Sequence, residues 1–181
     1  MKIEVSQFDK DSLSVIRRSV KQLIKSSSLE FDREECTVLD VAPQIYEGCS
    51  EFYDKANVET LDLDVDSEAT YIADLCNDNS DKIPSNHFDA LICTEVLEHV
   101  NQPFDAVNEI YRIVKPGGKV FISTPFNFRI HGPLPDNWRF TIHGLRTLFS
   151  KFEDVVIEEE RTNERDLMPI HYRLTAKKPI N

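Results

Sequence analysis

Apolar residues recur along this chain with two different periods, and the points where the period changes divide it into elements. Between residues 11 and 28, Leu13, Val15, Ile16, Val20, Leu23 and Ile24 fall near helical spacing, which predicts an amphipathic leading helix capped by Asp11 or Ser12. After a charged break, Phe31-Asp-Arg-Glu-Glu35, short apolar runs predict buried strands over residues 37–41 and 58–63, with room between them for only a short helix around 45–53. Residues 71–74 read as a third short strand. Residues 76–86, rich in Asn, Asp, Ser and Pro, read as a loop.

The clearest patterning follows. Phe88-Asp-Ala-Leu-Ile-Cys93 is an apolar run that ends in polar residues. Residues 102–114 place Phe104, Val107, Ile110, Tyr111 and Val114 on one helical face, with Gly117 as the stop. A Pro-Gly-Gly turn then leads to a further apolar run over 119–123. Strand, helix and parallel strand make a right-handed unit that binds ligands beyond the carboxyl ends of its strands, where residues 94–99 sit. A long aromatic and proline-bearing loop comes next, then a short helix over 143–152. Runs over 154–158 and 171–176 fit a closing antiparallel edge. The sum is a Rossmann-like α/β fold: a mostly parallel sheet of about seven strands with helices on both faces and an antiparallel C-terminal strand.

Composition narrows the partners. A length of 181 residues suits one domain, 1–181, with no repeat or linker in it. A formal net charge of -11 argues against nonspecific nucleic-acid or anionic-membrane binding, which needs clustered Lys and Arg. Cys36, Cys49, Cys76 and Cys93 are too dispersed to signal a zinc site or a disulfide framework, so no metal is expected. The N-terminus lacks an apolar signal region, and no apolar run approaches membrane-spanning length, so a soluble cytoplasmic protein is expected.

The string Phe88-Asp-Ala-Leu-Ile-Cys-Thr-Glu-Val-Leu-Glu-His-Val100, followed by Val114-Lys-Pro-Gly-Gly118, resembles the class I S-adenosylmethionine (SAM) dependent methyltransferases, in particular the small bacterial type-11-like domain. The resemblance covers nearly all of the chain. It implies SAM as cofactor and S-adenosylhomocysteine as product. It also implies that Asp62, with Leu63 beside it, ends the second strand where a carboxylate accepts both ribose hydroxyls. Asp64 and Asp66 compete for that role or serve as turn acids. Asp74 and Leu75 match the element that meets the adenine. Asp40 matches the acid that orients the glycine loop and the donor's ammonium. Thr94 and Glu95 would line the donor through their backbone, although Glu95 also reads as a helix-start acid.

One segment departs from the family pattern. In place of Gly-x-Gly-x-Gly stands Ala42-Pro-Gln-Ile-Tyr-Glu-Gly48, without the glycines that permit positive φ and close backbone approach. Pro43 fixes its own φ and biases Ala42 to extended geometry. SAM carries no phosphate and does not need a dense cradle of amides. Gln44 offers a side-chain amide to the methionine carboxylate instead.

Methyl transfer is an in-line displacement at an activated sulfonium, so the protein supplies alignment and, for a hydroxyl or ammonium, a base. His99 resembles the histidine that points at the methyl group, or else it packs the turn. The acceptor-side loop, 124–142, includes Pro125, His131, Pro135, Asp136, Trp138, Arg139, Phe140 and Thr141. It resembles the "P…H…P-D-x-W-R-F-T" loop of small bacterial methyltransferases associated with sugars, cell-surface glycans or secondary metabolites, which is an analogy and not chemistry. His131 is the first choice as base. Asp136 and Arg139 grip the acceptor or pair with each other, and Trp138 is a stacking wall or a core plug.

His87, His143 and His171 read as surface or packing residues, the charge run over 158–166 as a solvated edge, and Phe104, Tyr111, Phe149 and Phe152 as core. The expected function is transfer of a methyl group from SAM to an oxygen, or a nitrogen, of a small polar acceptor. The alternative is a noncatalytic methyltransferase-like binding domain, which the missing glycines favour. A nicotinamide oxidoreductase would need G-x-G-x-x-G after the first strand, and this chain lacks it.

Overall fold

The computed structural model describes residues 4–43, 48–162 and 165–180. Its elements are α1 (Gln7–Phe31), β1 (Thr37–Val41), β2 (Asn57–Asp62), β3 (Tyr71–Ile72), β4 (Phe88–Thr94), α2 (Pro103–Ile113), β5 (Val114–Pro125), α3 (Ile142–Leu148), β6 (Glu153–Glu160) and β7 (His171–Lys177), with one 3-10 turn over Ser50–Phe52. Among the described residues seven strands form one sheet in the order β3-β2-β1-β4-β5-β7-β6. The pairs from β3 to β5 are parallel, and β7 runs antiparallel to both β5 and β6. Strand order reverses between β1 and β4, which is where open α/β sheets form a ligand crevice.

The sheet is apolar on both faces. Val38, Ala90, Ile92 and Phe121 turn toward α1, where they meet Leu23, Ile24 and Phe31. Leu39, Leu91, Cys93, Val120 and Ile122 turn the other way, onto Ala106, Val107, Ile110, Leu145 and Phe149. The alternation follows from the pleat, which sends successive side chains to opposite faces.

Several boundaries differ from the pattern-based expectation. Helix α1 begins earlier, and Ser6 caps it by accepting from the Asp9 amide at 3.1 Å; Asp11 and Ser12 lie inside the helix. Its buried stripe is Ser12, Ile16, Ser19, Leu23, Ile24, Ser27 and Phe31. The serines let the helix lie close to the sheet, and Ser27 returns its hydroxyl to Ile24 O at 2.6 Å. Leu13 is exposed instead. Phe104, expected in the core, is 59% exposed because it falls in the first turn of α2 on the outer side. Helix α3 is shorter than expected; Thr141 caps it by accepting from the Gly144 amide.

Gly117 does not stop a helix, and Pro-Gly-Gly is not a free turn. Helix α2 passes directly into β5, and the segment is a bulge within that strand: Phe88 pairs with Val114, yet Ala90 pairs with Lys119. The bulge is tied down from the far side of the sheet. Gly117 donates its amide to Lys178 O at 2.8 Å, and Lys178 donates its own to Gly118 O at 2.9 Å. The Lys178 ammonium reaches beneath the end of α2 to Tyr111 O at 2.6 Å and Val114 O at 2.9 Å. This places a cation where the helix dipole favours one, although burial lowers the ammonium's pKa.

A Cβ at Gly118 would stand 2.9 Å from both Asp89 O and Val114 Cγ1. Gly118→Ala is therefore expected to destabilise the protein by about 1–3 kcal/mol through forced backbone movement, measured by chemical denaturation. An unchanged midpoint would show that the bulge is slack.

Candidate active site

The acids expected on the donor side, Asp40, Asp62 and Asp74, stand at the carboxyl ends of adjacent parallel strands. Asp40, the penultimate residue of β1, is 4% exposed and accepts the Cys49 amide at 2.7 Å. Burial pushes its carboxyl up to about 6. Gly48 makes this possible: it sits at φ +58, and a Cβ there would meet Asp40 Oδ2 at 2.6 Å and Pro43 Cβ at 2.8 Å. Close approach to the acid is thus supplied by a glycine at the far end of the loop. Ala42, expected to be extended ahead of Pro43, has φ 51. Its amide donates to Leu61 O at 2.7 Å, and that bond holds the chain in the turn. Gln44 lies outside the described residues.

Asp62 ends β2, and its Oδ1 accepts the Asp64 amide at 2.9 Å. Asp64 in turn accepts the Asp66 amide at 2.9 Å, which is turn chemistry. Leu63 is 67% exposed beside the strand end. Asp74 follows β3 and accepts the Cys76 amide at 2.8 Å, its carbonyl holds Asn79 Nδ2 at 2.9 Å, and Leu75 is buried in the core.

Thr94 ends β4. Glu95 comes next, with φ 56. It is not a helix-start acid, because α2 begins only at Pro103. Its Oε1 accepts from Ser123 Oγ at 2.8 Å and faces His171 Nε2 at 2.7 Å, while His171 Nδ1 meets Ser19 Oγ at 3.0 Å. His171 is fully buried, so this chain of contacts joins α1, β4, β5 and β7. Burial alone would push the Glu95 carboxyl up. The charge and hydrogen bond of His171, the Ser123 hydroxyl and the more distant His131 hold it below its ordinary value.

The acceptor-side loop folds back onto the turn after β4. Glu98 O accepts the amides of Asn137 at 2.7 Å and Trp138 at 3.0 Å. Trp138 Nε1 donates to Val100 O at 2.8 Å, and the ring stacks on Phe140. Asp136 and Arg139 pair with each other: Arg139 Nη1 and Nη2 donate to the two carboxylate oxygens at 2.5 and 2.7 Å. That fork, with the Asp136 side chain fully covered, holds the Asp136 carboxyl far below the usual range. Nη2 also reaches Arg129 O at 3.1 Å, so the pair shapes the loop.

This folding brings His131 to His99, with ring centroids 4.9 Å apart. His131 Nε2 lies 3.6 Å from Glu98 Oε1, and its Nδ1 lies 3.1 Å from Asp136 Oδ2. The neighbouring Glu98 and Asp136 carboxylates raise the His131 pKa. Glu98 itself is 0% exposed; burial, with Glu95 adding, pushes its carboxyl up to about 7. Sequence reasoning passed over Glu98. The only signal was its place beside His99, without a basic residue nearby in sequence. Glu98, His99 and His131 bring one potential metal-ligating atom each within 4.8 Å of one another. An adjacent pair joined by a residue from a distant loop has no spacing to recognise. At the opposite, amino edge of the sheet, a cleft of about 650 Å³ is lined by Arg33, Glu34, Glu35, Cys36, Lys55 and Asp89. None of the expected site residues reaches it.

Residues 24–122, more than half of the chain, match the family described as the methyltransferase domain. The chain belongs to that family. Its fold and the recognised motifs are those of the class I SAM-dependent methyltransferases. A ubiquinone biosynthesis O-methyltransferase of Pseudomonas putida is 54% identical to this methyltransferase over 37 residues, which is 20% of this chain and 16% of that protein. The match therefore spans only a small part of the curated relative.

Among solved structures, phosphoethanolamine N-methyltransferase 2 of Haemonchus contortus in complex with SAM aligns with a TM-score of 0.66 at 16% identity, covering 90% of this chain and 52% of that one. A SAM-dependent methyltransferase from Archaeoglobus fulgidus aligns with a TM-score of 0.59 at 15% identity, covering 87% and 94%. These two share its fold. No helix among the described residues is long and apolar enough to cross a membrane.

Asp40 yields a prediction with a definite sign. A carboxyl whose folded pKa is raised to about 6 binds its proton more tightly folded than unfolded, so stability is greatest below the unfolded value near 4 and falls as pH rises through 6. The groups facing Asp40 are the Cys49 and Cys93 thiols and the Tyr53 phenol, all pushed upward and uncharged at neutral pH. Asp40→Asn is expected to raise the melting temperature of the ligand-free methyltransferase at pH 8, by the equivalent of about 3 kcal/mol at most. The gain should fade as pH falls to 4. A gain independent of pH would exclude the ionisation of Asp40 as its cause.

Proposed function

We propose that this methyltransferase, acting as one domain over 1–181, moves the methyl group of SAM to an oxygen of a small polar acceptor. The observation that carries the reading is the loop that brings His131 against Glu98 and His99, next to the strand ends where Asp40, Asp62 and Asp74 stand. A nucleophile that must lose a proton needs such titratable groups beside the donor, and a hydroxyl needs them most. The local likeness to an O-methyltransferase supports the same choice.

On this reading Asp62 accepts the ribose hydroxyls, with Leu63 covering one side of the sugar. Asp74 and Leu75 meet the adenine. Asp40, bonded to the Cys49 amide, orients the loop and the donor's ammonium, Gln44 meets the methionine carboxylate, and Thr94 and Glu95 line the donor. The acceptor lies against Trp138, with Asp136 and Arg139 fixing the loop it touches. His131, in its neutral form, takes the acceptor's proton, and His99 shares the approach. The oxygen bonds to the methyl carbon as the carbon–sulfur bond breaks, and sulfur keeps the electron pair and leaves as a neutral thioether. The acid excess of the chain fits a small acceptor better than a polyanion. A noncatalytic nucleoside-binding role is favoured by one feature, the glycine-poor stretch from Ala42 to Gly48.

Calorimetric titration with SAM and S-adenosylhomocysteine tests the donor site. Saturable binding of both is expected, weakened about tenfold to a hundredfold in Asp62→Ala through loss of the ribose hydrogen bonds. Absence of binding to wild type would reject the reading. Once an acceptor screen finds a substrate, His131→Ala should lower kcat by about 10²–10⁴ with SAM affinity unchanged. Turnover equal to wild type would remove His131 from the reaction, and SAM binding without turnover of any acceptor would favour the noncatalytic role.

A further inference from the structure

We propose that Glu98, His99 and His131 hold a divalent transition-metal cation. The argument starts from Glu98. Its side chain is 0% exposed, and neither carboxylate oxygen has a hydrogen-bond partner among the described residues. An ionised carboxylate is seldom left unpaired in a protein interior, because removing it from water costs several kcal/mol that nothing returns. What faces its Oε1 is a pair of imidazole nitrogens: His99 Nε2 at 3.8 Å and His131 Nε2 at 3.6 Å. Ligand atoms about 2.1 Å from a tetrahedral cation stand roughly 3.4 Å apart, so the two carboxylate–imidazole distances need to close by only a few tenths of an ångström, and the imidazole pair, within 4.8 Å, closes by rotation of partly exposed rings.

The proton positions agree. His99 Nδ1 lies 2.9 Å from Pro135 O, and a carbonyl can only accept. The proton is therefore on Nδ1, and Nε2 presents a lone pair toward Glu98. His131 Nδ1 lies 3.1 Å from Asp136 Oδ2, off the line of a good hydrogen bond, and Arg139 fixes that carboxylate. The same carboxylate accepts the His131 backbone amide at 3.0 Å and so fixes the residue's place, and a carboxylate behind the imidazole is the arrangement found at metal-binding histidines. The two segments that supply the ligands are already clamped, since Glu98 O holds the amides of Asn137 and Trp138. Charge agrees as well: Arg139, the cation whose charge reaches Glu95 and Glu98, is already paired with Asp136.

Two imidazoles and one carboxylate suit Zn²⁺, Mn²⁺, Fe²⁺ or Co²⁺ better than Mg²⁺ or Ca²⁺, which prefer all-oxygen sets. Three protein ligands leave at least one position open. Resting on the SAM donor and hydroxyl acceptor of the preceding subsection, and replacing the role given there to His131, that position takes the acceptor oxygen. The cation then makes the hydroxyl more acidic, its proton passes to solvent, and the oxyanion attacks the sulfonium methyl with the same bond changes as before. In the metal-bound protein His131 positions the cation and is not the base.

The test uses the full chain without a polyhistidine tag, stripped with EDTA and dialysed. Titration with Co²⁺ should produce the visible d–d absorption of a low-symmetry nitrogen and oxygen site, saturating at one equivalent. Affinity should fall more than tenfold in Glu98→Gln and in His131→Asn. Mn²⁺ or Zn²⁺ should raise the melting temperature of wild type but not of the variants. Metal-free Glu98→Gln should melt no lower than wild type, because it removes a buried unpaired charge and keeps the shape, so lost binding there is not lost folding. Nonsaturating Co²⁺ binding, or binding that both variants retain, would overturn the proposal. Calorimetry of the stripped protein with S-adenosylhomocysteine separates the two readings. Homocysteine-nucleoside binding without a Co²⁺ site keeps the methyltransferase reading and rejects the metal. A Co²⁺ site without nucleoside binding does the reverse.

Discussion

The structure depends on the burial of β4 between β1 and β5. Phe88, Ala90, Leu91, Ile92 and Cys93 are all 0% exposed, with side chains packed on both faces of the sheet. A strand so placed cannot be displaced by a residue without exchanging its two apolar faces. Its register sets where the chain comes out of the core, and Thr94 and Glu95 occupy that exit. Pairing with β1 aligns Val41 with Cys93, and pairing with β5 aligns Ser123 with Thr94, so the turn after β1 and the start of the 124–142 loop lie on either side of one strand end.

Three carboxylates, Asp40 and Glu98 buried and Glu95 partly so, stand around that exit, and each is accommodated differently. Asp40 accepts a backbone amide and has no cation paired with it among the described residues, so burial raises its pKa. Glu95 is paired with His171 and Ser123, and its pKa is lowered. Glu98 has neither device; two histidines approach it without reaching hydrogen-bond distance. The same desolvation acts on all three. Their partners decide whether the acid serves as a loop anchor, a structural link or an open ligand. The Asp136–Arg139 pair belongs to the same economy of charge: it is nearly all internal to the loop, and its work is to hold His131 in place.

Much of this was legible beforehand. Alternation and apolar runs locate β1 and β4 almost residue for residue, because a doubly buried strand admits few polar residues and its ends must carry them. The acids Asp40, Asp62 and Asp74 could be marked because strand-end carboxylates are visible once strands are drawn. The errors fall where local signals compete with packing. Gly117 reads as a helix stop, yet pairing with β4 and the Lys178 backbone draws the whole Pro-Gly-Gly segment into β5. Phe104 fits an apolar face by period, but the face that packs runs through Pro103, Ala106, Val107, Ile110 and Ile113 and leaves Phe104 on the outer side. Pro43 argues for an extended Ala42, and a hydrogen bond to Leu61 overrides it.

The sequence by itself determined the fold class, the strand ends and the family, since each follows from short-range period and from motifs read within one stretch of chain. Tertiary structure alone decided which polar groups meet. His171 reaches Glu95 and Ser19 from the end of the chain, and His131 reaches Glu98 from a separate loop. Such contacts join residues far apart in sequence, and their positions come from the packing of strands and loop, not from any local spacing. The chemistry of a buried charge depends on neighbours within a few ångströms, and only the folded chain assigns those neighbours.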